Sequence, residues 1–202
     1  GSTNKIEYIY DATGVKLQKK VTSGTTITTD YAGNYIYENG NLQFFNQPEG
    51  YVEPINASNY NLGFKYAFQY KDHLGNIRLS YIDADGNGII ATSEIVEENN
   101  YYPFGLKHKG YNGNIIGRHH KYMFGGKELQ DEIVGSNSFE VYDFGARNYD
   151  ASLGRWMNVD PLAEAQYEYS LYSFTFNNPI MFNDPTGMIG ESTHTDKDGN
   201  VI

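Results

Sequence analysis

Cysteine is absent from the 202-residue chain. That removes disulfide frameworks, thiol nucleophiles and thiolate metal sites, and leaves the compartment open. Basic charge is scarce: Lys and Arg total 15 against 25 Asp and Glu, a formal net charge of −10. Nucleic acid and anionic membranes both need a basic face, so neither is an expected partner. Surplus carboxylates suit calcium instead. No apolar run approaches the ~18 residues of a membrane-spanning helix, so no membrane insertion is expected. No signal peptide opens the chain. Gly1-Ser2 reads as an expression scar, and the chain as an excised piece of something longer.

What the chain has in quantity is ring and turn. There are 19 Tyr, 11 Phe and 1 Trp, together 15% of the residues, beside 22 Gly. Such a chain does not build a large aliphatic helical core. It suits twisted β-hairpins with aromatic cross-strand pairs and turns that need positive φ. A degenerate unit recurs. Tyr8-Ile9-Tyr10-Asp11-Ala12-Thr13-Gly14 and Tyr70-Lys71-Asp72-His73-Leu74-Gly75-Asn76 share it, as do Tyr142-Asp143-Phe144-Gly145 and Tyr149-Asp150 through Gly154. In each, Tyr ends a strand, Asp bonds its own backbone two residues on, and Gly supplies the left-handed position.

The expected fold is all-β, an antiparallel hairpin-rich sheet with a few short helices. Strands are expected at 16–20, 25–31, 35–38, 63–70 and 77–82, with a hairpin turn at Asn39-Gly40. Residues 47–61, which carry Pro48 and Pro54, read as a loop. Residues 94–100 are the best helix candidate and 127–133 a second. Tyr101-Tyr102-Pro103-Phe104-Gly105 reads as an aromatic turn. From Phe139 onward apolar and aromatic positions grow denser, and a boundary is placed near 135.

A scan for metal loops finds Asp83-Ala84-Asp85-Gly86-Asn87-Gly88, five further residues, then Glu94, which satisfies the whole D-x-[DN]-x-[DN]-G-x5-E pattern. Asp83, Asp85 and Asn87 offer oxygens, Ile89 a backbone carbonyl, and Glu94 a closing bidentate carboxylate; Ile90 is the apolar anchor. Ca2+ is therefore the expected cofactor. The plain alternative is an acidic hairpin turn. Asp196-Lys197-Asp198-Gly199-Asn200 echoes the start of the pattern, but Val201 replaces its glycine. Of the histidines, none has metalloprotease spacing, and His119-His120 beside Arg118 and Lys121 reads as a solvated turn. Gly125-Gly126-Lys127 lacks the rest of a phosphate loop, and no Gly-x-Ser-x-Gly elbow exists. Tyrosine rings can stack on sugars, though they more often pack across strands.

The run Tyr142-Asp143-Phe144-Gly145-Ala146-Arg147-Asn148-Tyr149-Asp150, Gly154-Arg155-Trp156, Asp160-Pro161-Leu162, Asn177-Asn178-Pro179 and Asp184-Pro185-Thr186-Gly187 resembles the RHS repeat-associated core. That core is the shared C-terminal end of bacterial RHS/YD-repeat proteins. The stretch Asp72 to Arg78 and the turn at 101–105 resemble the preceding YD repeats. Residues 3–135 then form a YD-repeat region, 136–187 the core, and 188–202 the start of a variable segment.

The resemblance implies a β-sheet that spirals into a hollow shell, sealed at one end by the core. A C-terminal effector or toxin segment of the same polypeptide follows. It also implies an extracellular or cell-surface location on a bacterium. Sheet edges left bare in a fragment are expected to self-associate. In some members the core is an aspartyl self-protease built on two Asp-Pro-x-Gly boxes, cut just beyond the second. Asp160 and Asp184, 24 residues apart, occupy those places, with Arg155 as a charge-stabilising neighbour. The second box is intact; the first reads Asp160-Pro161-Leu162-Ala163. The plain reading of both is a turn cap. Three functions follow: a structural piece of the effector-housing shell, a self-protease, or a calcium-dependent adhesion or carbohydrate-binding module.

Overall fold

A computed structural model describes residues 4–109, 117–165 and 168–193. The echo of the metal loop at 196–200 lies outside the described residues. The chain is nearly all β, with helix confined among the described residues to short 3-10 turns.

The first half is one antiparallel meander of nine strands in strict sequence order. These are β1 (Lys5–Tyr10), β2 (Lys16–Ser23), β3 (Thr25–Ala32), β4 (Tyr35–Glu38), β5 (Asn41–Gln47), β6 (Gly50–Pro54), β7 (Phe64–Lys71), β8 (Ile77–Tyr81) and β9 (Ile95–Glu98). Short turns join all but two pairs; longer connections at 55–63 and 82–94 link β6 to β7 and β8 to β9. Asp11 accepts from the Thr13 and Val15 N–H groups between β1 and β2. Between β4 and β5, Asn39 and Gly40 both have positive φ, at 49° and 82°, as a tight hairpin requires.

Three expectations fail here. Residues 50–54 are a strand, not loop: Tyr51-Val52-Glu53 favours extension, while Pro48 falls in the turn and Pro54 at the strand's last position. The helix expected at 94–100 is a 3-10 turn, Thr92–Glu94, followed by β9. Ile95-Val96 is β-branched, and pairing with β8 serves its backbone better than an isolated short helix would. The second helix candidate is β10 (Glu128–Gln130) and the start of β11 (Ile133–Val134), which hairpins with β12 (Asn137–Ser138).

A second sheet has the order β10, β13 (Val141–Asp143), β14 (Asn148–Asp150), β15 (Arg155–Trp156). Since β10 pairs with β13, hydrogen bonds cross the sequence boundary placed at 135. A last hairpin joins β16 (Phe182–Asn183) to β17 (Glu191–Ser192).

Two apolar cores result. Tyr101, Met123, Phe124, Tyr142, Phe144, Tyr149, Trp156 and Phe174 form the larger, built wholly from residues beyond 100. Several of its rings meet edge-on, as their quadrupoles prefer: Phe144 lies 5.1 Å from Trp156 at 87°. The smaller core, Ile36, Phe44, Tyr51 and Ala67, lies on one face of the meander beneath Tyr122. His120 corrects the reading of a solvated turn. It is 2% exposed, stacks on Tyr51 at 4.2 Å, and burial pushes its pKa down to about 3. The two halves are also stitched by backbone: Ile77 N–H donates to Met123, and Gly125 N–H to the Asn76 side chain.

Candidate functional site

Asp160 and Asp184 come together, but not through Arg155. Arg147, 2% exposed at its side chain, spans both: Nη1 lies 2.9 Å from Asp160 Oδ2 and Nη2 3.3 Å from Asp184 Oδ2. Its guanidinium also lies over the Trp156 ring at 4.2 Å, and Nε donates to the Gly187 carbonyl and Nη2 to that of Met188. Arg155 sits exposed in β15, where it pairs across to Asp150. Strand parity explains the exchange. Arg147 stands two residues before the fully buried Tyr149 and shares its side of the strand. Arg155 adjoins the buried Trp156 and so takes the opposite side. That alternation was the available signal.

The other oxygen of each aspartate serves its own turn. Asp160 Oδ1 accepts from Leu162 N–H at 2.7 Å. Asp184 Oδ1 accepts from Thr186, Gly187 and Met188 N–H, the last two at 2.7 and 3.0 Å. Burial raises the Asp184 pKa above the ordinary value, against the pull of those N–H groups and of Arg147. The arrangement holds the peptide groups after Gly187 in place: Arg147 takes their carbonyls and Asp184 their N–H groups.

The loop from Asp83 to Glu94 brings ligand atoms of Asp83, Asp85 and Glu94 within 4.8 Å of one another. Glu94 is the buried member. Its two oxygens accept from Ala84 and Ala91 N–H, which hold its pKa below the usual carboxylate range. Asp83 accepts from Asn87 and Gly88 N–H, and Asn87 Oδ1 from Ile89 N–H. Each carboxylate oxygen retains a second lone pair for a cation. Ile89 and Ile90 are 73% and 38% exposed, so Ile90 does not anchor the loop in a core. Strand β8 enters the loop and a 3-10 turn leaves it, without the flanking helices of a paired calcium hand.

The tyrosine-rich face opposite the small core is in register across the sheet. Tyr35 stacks on Phe45 at 4.9 Å and Phe68 on Tyr81 at 5.6 Å. Those rings turn their faces to one another, whereas a sugar platform needs the faces free.

A meander whose turns are repeatedly closed by Tyr-Asp units, with an aromatic C-terminal block laid on it, defines a class rather than an activity. No family model matches the chain. It is 29% identical over 203 residues to salivary gland surface protein 1 of Aedes aegypti, which covers 91% of this chain and 5% of that protein. Toxin subunit YenC1 of Yersinia entomophaga is 27% identical over 120 residues, 55% of this chain and 11% of that subunit. In fold it matches the crystal structure of TcdB2-TccC3 with a TM-score of 0.66 at 19% identity, over 91% of this chain and 9% of that one. The chain is thus similar in sequence to toxin subunits and a surface protein, and in fold to part of a toxin complex. It spans only a small fraction of the length of each of these proteins. Among the described residues no helix is long and apolar enough to cross a membrane.

Proposed function

We propose that this chain is a structural piece of an RHS/YD-repeat shell that houses or presents a C-terminal effector segment of the same polypeptide, outside the cell or at its surface. The observation that carries the reading is the nine-strand meander in strict sequence order, covered on one face by the aromatic C-terminal block. A sheet of that kind extends by adding strands at either edge. The likeness to toxin subunits and to a surface protein supports both the setting and the effector. In the full-length protein, the segment beyond the Asp184-Pro185-Thr186-Gly187 box should resist added protease while the sheet is folded. Digestion as fast as in a denatured control would remove the shell reading.

Self-cleavage is a second reading, favoured by Arg147, which pairs with both Asp160 and Asp184 and donates to the Gly187 and Met188 carbonyls. Purified protein should then show a nick within a residue or two of Gly187, abolished by Asp184→Asn. An intact mass that stays constant over days, at neutral and mildly acid pH, would leave these residues as turn caps.

We also propose that the Asp83–Glu94 loop takes Ca2+, with Asp83, Asp85, Asn87, the Ile89 carbonyl and Glu94 as ligands. The complete motif and the converging carboxylates support it. Affinity should fall in the ~10⁻⁴–10⁻³ M class of extracellular modules, with Mg2+ bound less well. Chelator should raise hydrogen exchange across 83–94 in the wild type but not in Asp83→Ala. Exchange indifferent to millimolar calcium would reduce the loop to an acidic turn.

A further inference from the structure

A cavity of about 500 Å3 lies between the covered face of β2–β5 and the segment 118–133. Val21, Ile27, Ile36, Phe44 and Ile133 give it apolar walls, and Ile27 and Ile133 remain 43% and 67% exposed there. Apolar cavities of this size with a few convergent polar groups are the usual form of small-ligand sites. The convergent groups here are Lys19, Glu128 and Glu132, each more than nine-tenths buried.

Their pairing is lopsided. Every cation is engaged: Lys19 Nζ lies 2.8 Å from Glu128 and 2.5 Å from Glu132, Lys121 pairs with Asp131 and Glu132, and Arg118 with Glu53. Glu128 is served by Lys16, Lys19 and the Tyr31 hydroxyl. Glu132 places Oε1 on both of its lysines, while its buried Oε2 has no hydrogen-bond partner. Leaving a buried carboxylate oxygen without a donor costs its full desolvation. The missing partner is a donor, and a cationic donor bonds a carboxylate most strongly.

We propose that this cavity binds a primary ammonium group carried on an aliphatic stem, the ammonium on Glu132 and the stem along Val21, Ile27 and Phe44. The same chemistry is presented by a free alkylamine and by a lysine side chain of a peptide. The site is separate from the shell reading, and either can fail without the other.

The test is a titration of the intact chain, followed by the methyl resonances of Ile27, Ile36 and Ile133. The probes are pentylammonium, pentanoate, pentanol and N-acetyl-lysine methylamide. Saturable shifts are expected with pentylammonium and not with pentanoate. Response to the lysine derivative as well assigns the site to peptide; response to pentylammonium alone assigns it to free amines. Glu132→Gln should weaken binding by roughly tenfold or more, the worth of a hydrogen bond to a charged group. Should that variant lose its fold, Ile27→Lys serves instead: at an exposed position it supplies a tethered ammonium and should block the probe. Equal response to pentylammonium and pentanoate, or unchanged binding in the folded variants, overturns the proposal.

Discussion

Aspartate carries one repeated task in this chain. Asp11, Asp72, Asp143 and Asp150 each accept the backbone N–H two residues ahead, at 2.8 to 3.0 Å. Asp160 and Asp184 do the same and add Arg147 on the second oxygen. The turn task was legible because it needs only an Asp and its neighbours. The Arg147 clamp was not, because it joins residues 13 and 37 positions away that only the folded sheet brings near. Arg147 is therefore the residue to remove. Arg147→Met should cost about 3–5 kcal/mol in urea unfolding, since it strands two buried carboxylates. A loss below about 1 kcal/mol would mean the turns hold Asp160 and Asp184 unaided. Gly187, with φ 74° and an added Cβ only 3.1 Å from Arg147 N and Phe144 Cβ, should lose about 1–3 kcal/mol on change to Ala. The same urea titration reads that loss.

At the scale of elements, β1–β3 is held differently from the rest. Its one buried residue is Lys19. Lys16 bridges Glu128 and Asp143, Lys19 bridges Glu128 and Glu132, Tyr31 donates to Glu128 and Tyr8 to Gln130. Ions and hydroxyls, not apolar burial, dock these strands on β10 and β13. Lys19 and Lys16 hold the Glu128 pKa below its ordinary value despite burial. A depressed carboxylate stabilises the fold above its unfolded pKa, near 4.5, and that share is lost as pH falls through the folded value. Hydrogen exchange in 5–32 should thus rise before that in 141–156 as pH drops from neutral to about 3. Simultaneous loss of both would show that β1–β3 has no separate docking. Most strands were readable from alternation and turn residues, because those signals are local. β6 and β9 were missed because pairing with β5, β7 and β8 decided segments that prolines and acidic residues had left ambiguous. His120 was missed because its neighbours in sequence are charged, while its neighbours in space are Tyr51, Phe44 and Tyr122.

For the whole molecule, the nine-stranded sheet ends at β1 and β9, each paired on one side only. Edge strands of this kind recruit one another unless charged or covered. Light scattering should show a mass that rises with concentration, and Ile9→Lys on β1, at a position 47% exposed, should lower it. A mass fixed at one chain across the concentration range would show that these edges are already blunted.

Strict sequence order in the sheet also governs how the chain is made. Each strand from β2 to β9 finds its partner in the strand synthesised just before it, so no pairing in the meander waits for a distant segment. Contacts that local close small loops and form fast, unlike the crossed connections of most sandwiches. The meander can grow one hairpin at a time while synthesis continues. The aromatic block, whose core residues all come after residue 100, closes on a sheet already laid down. Pulled from its first strand, the same molecule should come apart in the order it was built, one hairpin after another.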